Sequence, residues 1–362
     1  MSRRPSSPDL RPATLAIHAD HGVEPAPDVA PPIHLATTYE AGNAEGLIYG
    51  RYGHATHARL EAVLGALEGG VAVVFATGQA ATTAALSVLK PRRVVMGVGG
   101  YFGTHAAIAR LGLAEAPLDA TLAAGDLVWL ETPKNPTGEC ADIAAFAQRA
   151  HAAGAQLLVD STLASPALQR PLALGADVVM HSTTKLVAGH SDALGGALVS
   201  RDGALAQALR ADRSVAGGVP GALEAWLTLR GVRTLALRVL HQSATATRLA
   251  AHLDGHVARV WHPSLPSHPS YDLARRQMRA PGSIFAIELD TEAQAVALPS
   301  ELALFTDATS LGSVESLIEW RRRHDAQSPP TLLRVSAGVE DADDLQADLE
   351  AGLRAVGAWR EG

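Results

Sequence analysis

A chain of 362 residues, 47% of them apolar, is long enough for a large core and two folding units. Its 30 Lys and Arg against 37 Asp and Glu leave a net charge of −7, which excludes the basic signature of a nucleic-acid or anionic-membrane partner. The single cysteine, Cys140, excludes an internal disulfide and points to a reducing cytoplasm.

Residues 1–35 are rich in Pro, Ser and Ala without a sustained period, which predicts an extended arm. Residues 1–12 carry Arg3 and Arg4 but no apolar segment, so no signal peptide is expected. Residues 59–67 read as a helix closed by Gly69-Gly70. Apolar runs at 71–75, 94–98, 127–130, 156–159, 177–180 and 196–199 recur roughly every 20 to 30 residues, with alanine-rich helical segments between several of them. Buried parallel strands joined by crossover helices have that rhythm. The longest weakly polar stretch, 71–89, contains Thr77, Gly78, Gln79, Thr82 and Thr83, which divide it into strand, turn and helix rather than a membrane span. Residues 220–253 are helix-prone, 283–289 and 332–336 read as strands, and 341–356 reads as a terminal helix. Asp341, Asp343 and Asp344 at its start and Arg354 near its end suit the helix dipole. The expected organisation is an arm (1–57), a large parallel α/β unit (58–230) and a smaller α+β unit (231–362), without internal repeats.

Two of the apolar runs lead into residues with chemistry. One closes on Asp160, and another leads into His181-Ser182-Thr183-Thr184-Lys185, so the lysine follows the aspartate by 25 positions. Pyridoxal phosphate (PLP) chemistry requires such a pair. The lysine amine forms a Schiff base with the cofactor aldehyde, and the carboxylate keeps the pyridine nitrogen protonated so that the ring takes up electrons. From these two residues alone, a lysine and an aspartate at the surface ends of two strands read equally well. Three further features suit a phosphate. Gly78, in Ala76-Thr77-Gly78-Gln79, joins a strand to a helix and lets backbone N–H groups approach an anion at the helix N-terminus, although many such turns contain glycine. Ser182 and Thr184 offer hydroxyls. Arg51, near Tyr49, has a fork that matches phosphate oxygens, although alone it reads as a surface salt bridge. Cys140, after Asn135-Pro136-Thr137-Gly138, reads as structural rather than nucleophilic.

Taken in order, many segments resemble the Cys/Met metabolism (transsulfuration) family of PLP-dependent enzymes, which includes cystathionine γ-lyase, γ-synthase and β-lyase. The resemblance runs from about residue 17 to 357. It is carried by Tyr49-Gly50-Arg51, Leu67-Glu68-Gly69-Gly70, Thr77-Gly78-Gln79-Ala80-Ala81, Tyr101-Phe102-Gly103-Thr104 and Glu131-Thr132-Pro133. Gly175-Ala176-Asp177 through Lys185, Gly189-His190-Ser191-Asp192, Arg230-Gly231, Ser310-Leu311-Gly312 and Leu333-Arg334 complete the series. The resemblance implies a fold type I (aspartate aminotransferase-like) α/β architecture, with a large parallel-sheet domain and a smaller α+β C-terminal domain. It implies PLP on Lys185, which also shuttles protons; a nearby pyridinium charge would lower its pKa. It further implies Asp160 at the pyridine nitrogen with Thr162 beside it, Tyr101 stacked on the ring and active in proton transfer, and Asn135 near the ring hydroxyl. Gly78, Gln79, Ser182 and Thr184 would hold the phosphate, together with Tyr49 and Arg51 from the arm of a neighbouring subunit. A homo-oligomer, usually a tetramer, follows from that sharing. Arg334 would hold the substrate α-carboxylate, with Ser310, Asn135 and Glu315 also on the substrate side; no metal is expected.

The sequence departs from the family at several points. Ile48 stands where γ-synthases and cystathionine γ-lyases carry an acid for the distal amino group of the substrate. His54-Ala55-Thr56-His57 is similar to the β-lyase branch, whereas Leu311 is not. Gly103 replaces the cysteine of methionine γ-lyases, and Glu315 matches the synthase and γ-lyase pattern. Residues 318–331 are shorter than the family's loop and carry Arg321, Arg322, Arg323 and His324, a run that reads as a solvated face. The leading expectation is γ-elimination of cystathionine to cysteine, 2-oxobutyrate and ammonia. Cystathionine γ-synthase, acting on an O-acylhomoserine, and β-lyase are the alternatives. A non-catalytic binding protein is disfavoured by the set Lys185, Asp160, Tyr101 and Arg334, and an aminotransferase of the same fold by the resemblance of the segments around Tyr101 and Ser310 to the sulfur family.

Overall fold

The computed structural model describes residues 10–23 and 28–361; Arg3 and Arg4 lie outside the described residues. The apolar runs become strands β1 (Val71–Phe75), β2 (Val94–Met96), β3 (Glu115–Ala116), β4 (Leu127–Glu131), β5 (Gln156–Asp160), β6 (Val178–His181) and β7 (Gly196–Ser200). They form one seven-stranded sheet in the order β1-β7-β6-β5-β4-β2-β3. Both faces of this sheet are covered, as the period-2 alternation of a strand requires. In β1, Val73 and Phe75 pack with Leu86 and Trp129 on one face, while Ala72 and Val74 pack with Leu60, Val63 and Leu64 on the other.

Strands β2 to β6 are parallel, but β7 is antiparallel to both β6 and β1, so the sheet is mixed. This corrects the parallel reading of residues 196–199. A parallel neighbour needs a crossover, usually a helix. Residues 182–195 instead form turns around Lys185, and the chain re-enters the sheet from the end it left.

The N-terminal arm is not extended throughout. Pro12–His18 is a helix, with Pro12 at its first turn, where a missing N–H costs nothing. Its Ala16 is 1% exposed and joins the core formed with helix Ala55–Glu68. Just beyond it Asp20, fully buried, pairs with Arg59 at 3.5 Å and Arg233 at 3.1 Å, anchoring the arm to the body.

The stretch 220–253 is two helices, Ala222–Val232 and Leu235–Leu253, with residue 230 inside the first. The longer one joins two cores. Leu235 and Val239 pack among residues of the large sheet, and Ala246, Leu249 and Leu253 pack on a second sheet. That sheet comprises β8 (Arg259–Trp261), β9 (Ile284–Glu288), β10 (Thr306–Asp307), β11 (Leu317–Trp320) and β12 (Leu332–Ser336), in the order β10-β11-β12-β9-β8. Helix Ala342–Ala355 covers it through Leu345, Leu349 and Leu353. No described helix is long and apolar enough to cross a membrane.

Candidate functional site

The C-terminal ends of parallel strands form the natural crevice of an α/β sheet. Here β4 ends on Glu131 and β5 on Asp160, which are register partners, and the turn after β6 brings Lys185 alongside them. All three line a cavity of about 610 Å³ that extends to Arg334 of β12.

On the sheet side, Asp160 is 7% exposed. Thr162 donates to its Oδ1 from the backbone N at 3.0 Å and from Oγ1 at 2.6 Å, leaving Oδ2 for a donor from the cavity. Burial raises its pKa, and the two Thr162 bonds oppose that shift. Glu131 accepts from Tyr101 N at 2.7 Å and Asn135 N at 2.8 Å, so one carboxylate fixes the backbone of two other cavity residues. Burial, followed by the charge of Asp160, raises Glu131 to a pKa of about 7.

Thr77 caps helix Gly78–Leu89, accepting from Ala80 N at 2.9 Å, and this places the helix N-terminus at the cavity. A side chain at Gly78 would put Cβ 3.0 Å from Ser182 Oγ, tighter than ordinary contact, so glycine keeps this cradle open. Gln79 donates to Gly103 O at 2.7 Å, while its buried Oε1 has no partner among the described residues. Ser182 also lines the cavity. Thr184 lines it too, but its hydroxyl donates to Gly195 O at 3.2 Å and accepts from Gly195 N at 2.9 Å.

Lys185 Nζ donates to Ser310 Oγ at 2.7 Å. Burial, then the positive charge of Arg334, lowers its pKa to about 8, against a smaller opposing effect from Glu319. The expected lowering is therefore already present in the chain's own residues, before any pyridinium charge is added. Ser310 has φ +79°, a left-handed conformation that a non-glycine residue adopts only when its surroundings hold it there. Both of its oxygens are engaged at the site, Oγ by Lys185 and the carbonyl by Arg334 Nη2 at 2.6 Å.

The smaller sheet supplies the opposite wall. Arg334 is 5% exposed and contacts Asn135 Oδ1 through Nη1 at 3.3 Å. Its register partner across β11–β12 is Glu319, whose Oε2 lies 2.5 Å from Arg334 Nη2. Arg321, expected on a solvated face, is instead 9% exposed, lines the cavity, and binds the same Glu319 Oε2 at 2.8 Å. The solvated reading holds for Arg322, which is exposed, and Arg323 pairs at the surface with Asp307 at 2.8 Å. Short range decides the difference: residues 321–323 form one 3-10 turn, which turns the first arginine inward and the next two outward.

The cavity thus unites Gly78, Gln79, Tyr101, Asn135, Asp160, Thr162, Ser182, Thr184, Lys185, Ser310 and Arg334. Glu315, exposed, faces an adjoining cavity of about 650 Å³ that shares Lys185 and Ser310. Tyr49 and Arg51 line neither cavity; Arg51 stacks on Tyr52 at 4.7 Å and donates to Ser214 O at 3.0 Å. Tyr101 is 44% exposed, and a Cβ at Gly103 would fall 2.4 Å from its ring, so no side chain fits there unless the tyrosine moves. Cys140 lies outside the Lys185 cavity, and burial raises its thiol pKa to about 12. Sequence reasoning did not assign Glu131, Glu319, Arg321 or His324 to the site; residues 317–320, Leu-Ile-Glu-Trp, carry no alternation that singles out Glu319.

The sequence matches the profile of the Cys/Met metabolism PLP-dependent enzyme family over residues 13–354. It is 42% identical to a cystathionine gamma-synthase of Mycobacterium tuberculosis over 94% of this chain and 96% of the relative. It is 34% identical to a cystathionine gamma-lyase of Bacillus subtilis over 96% of this chain and 100% of the relative. The solved cystathionine gamma synthase of Xanthomonas oryzae pv. oryzae superposes with a TM-score of 0.90 at 36% identity, covering 96% of this chain and 99% of that one. The chain belongs to the Cys/Met metabolism family of PLP-dependent transsulfuration enzymes, and its fold is that of fold type I.

Proposed function

We propose that this family member holds PLP through Lys185 and catalyses γ-replacement, joining cysteine to an O-acylhomoserine to form cystathionine. One observation carries the catalytic reading: Lys185, Asp160 and Arg334, far apart in sequence, line a single cavity. In support of this branch, the Mycobacterium tuberculosis γ-synthase is more identical to the chain than the Bacillus subtilis γ-lyase is, each matched over nearly its whole length. γ-Elimination of cystathionine is the second reading; the 41% identity over 95% of this chain to a solved cystathionine gamma lyase of Micromonospora echinospora favours it.

The residues present fit the cofactor. Asp160 is a buried carboxyl with one oxygen left for a donor, which suits a protonated pyridine nitrogen. The Gly78 cradle, the helix N-terminus and the Ser182 hydroxyl suit a phosphate. When bound, PLP supplies the electron sink that makes loss of the substrate Cα proton possible.

The chain's own residues supply the remainder. Lys185 Nζ takes the Cα proton and returns a proton to the carbon skeleton, with Ser310 Oγ directing the amine. Arg334 receives the α-carboxylate through paired donors, with Asn135 beside it. Tyr101, whose backbone is fixed by Glu131, would cover the ring of a bound cofactor. Tyr49 and Arg51 line neither cavity of their own chain and would hold the cofactor phosphate of a neighbouring protomer, which makes the proposed active unit a homo-oligomer of at least two chains.

Product analysis tests the assignment. An O-acylhomoserine with cysteine is expected to give cystathionine faster than cystathionine alone gives cysteine and 2-oxobutyrate. The reverse ranking establishes the γ-lyase reading, and homocysteine with pyruvate establishes a β-lyase. A wild-type protein that PLP cannot turn yellow overturns all three.

A further inference from the structure

Glu319, Arg334 and Arg321 are 2%, 5% and 9% exposed, so solvent screens their charges poorly. A single oxygen, Glu319 Oε2, receives both Arg334 Nη2 at 2.5 Å and Arg321 Nη1 at 2.8 Å. Paired with Arg334 alone, Glu319 would cancel its charge. A neutralised guanidinium in a weakly screened cavity has little electrostatic attraction for another carboxylate. With two arginines on one carboxylate, the array keeps one positive charge. Arg334's other two contacts, Ser310 O and Asn135 Oδ1, are neutral and fix its direction without changing that count. Arg321 Nε is buried and has no hydrogen-bond partner among the described residues, while its Nη1 contact with Glu319 ties the guanidinium to the array.

We infer that Arg321 is a positioning residue for substrate binding: it shares the carboxylate of Glu319, so that Arg334 keeps the charge that captures the substrate α-carboxylate. The inference rests on the assignment of Arg334 to that carboxylate. It gives the first residue of the arginine run a role that its exposed neighbour Arg322 and its surface-paired neighbour Arg323 do not share.

The test uses PLP-loaded enzyme and two readouts. Arg321→Met is expected to raise KM about tenfold at nearly unchanged kcat, with the cofactor's visible absorbance retained. In titrations followed by that absorbance, it should weaken L-alanine but not L-alaninol, which lacks the carboxylate. Adding Glu319→Gln to Arg321→Met removes the charge that cancels Arg334's and should restore KM; a merely structural role predicts further loss. Should Arg321→Met not fold, Glu319→Gln alone serves, and it should tighten L-alanine binding. An unchanged KM in Arg321→Met, failure of the double variant to recover, or weaker L-alanine binding in Glu319→Gln overturns the inference. Arg334→Ala separates the two levels: if it raises KM while Arg321→Met does not, only the inference fails. If Arg334→Ala leaves KM unchanged, the α-carboxylate assignment itself fails.

Discussion

The β4 and β5 ends place two carboxyls, the half-buried Glu131 and the buried Asp160, side by side, whereas β11 and β12 place two buried arginines around one carboxylate. Burial acts on both walls in the same way, against the charged form, but the charges differ in sign. Carboxyl pKa values rise, Glu131 to about 7, and Arg334 falls to about 10. Each wall is therefore prepared for a group of opposite charge. The sheet side suits a cation, such as a protonated ring nitrogen, and the β11–β12 side suits a carboxylate. Lys185 lies between them, and Arg334 across the cavity helps to hold its amine near pKa 8.

The most severe way to break this contrast is to remove its centre. Lys185→Ala is expected to lower kcat about a thousandfold or more and to abolish the visible absorbance of the loaded protein. Retained absorbance would mean that another amine holds the cofactor. Removing only the cationic wall should be gentler and selective. Arg334→Ala is expected to raise KM about a hundredfold while the cofactor stays bound, because a buried charge pair with substrate is lost. Loss of cofactor instead would show that the two walls do not act separately.

The smallest effect concerns pH. The amine of Lys185 must be neutral to react with an aldehyde, and its pKa is lowered from 10.5 to about 8. The rate at which cofactor-free protein takes up PLP should rise with pH and level off above about 8. In Arg334→Met, which removes one cause of the lowering and leaves Glu319 in place, the inflection should move upward. An inflection near 10.5 in the wild type would break the electrostatic contrast.

The sheet side of the site was readable because its residues sit in contiguous segments. Asp160 closes an apolar strand, Gly78 opens a helix, and Ser182 and Thr184 lie within three positions of Lys185. Strand cores at 71–75, 127–131, 156–160 and 332–336 were equally plain, because buried runs rich in Val and Leu have few alternatives. The direction of β7 was not, since strand direction depends on the connection rather than on the strand. Strands β3, β8, β10 and β11 were missed for a similar reason: two to four residues give too little pattern, and pairing alone makes them strands.

The amino-acid sequence by itself determined the family and the fold class, and it marked Lys185 and Asp160 as candidates for the chemistry, because those depend on local order and spacing. Only the tertiary structure decided which charges share a cavity. Glu319 and Arg321 are ordinary charged residues in sequence. They become parts of a site because β-register sets Glu319 across from Arg334, and one 3-10 turn folds Arg321 back onto the same oxygen. Electrostatic energy depends on distance and burial, and neither can be read from the order of residues.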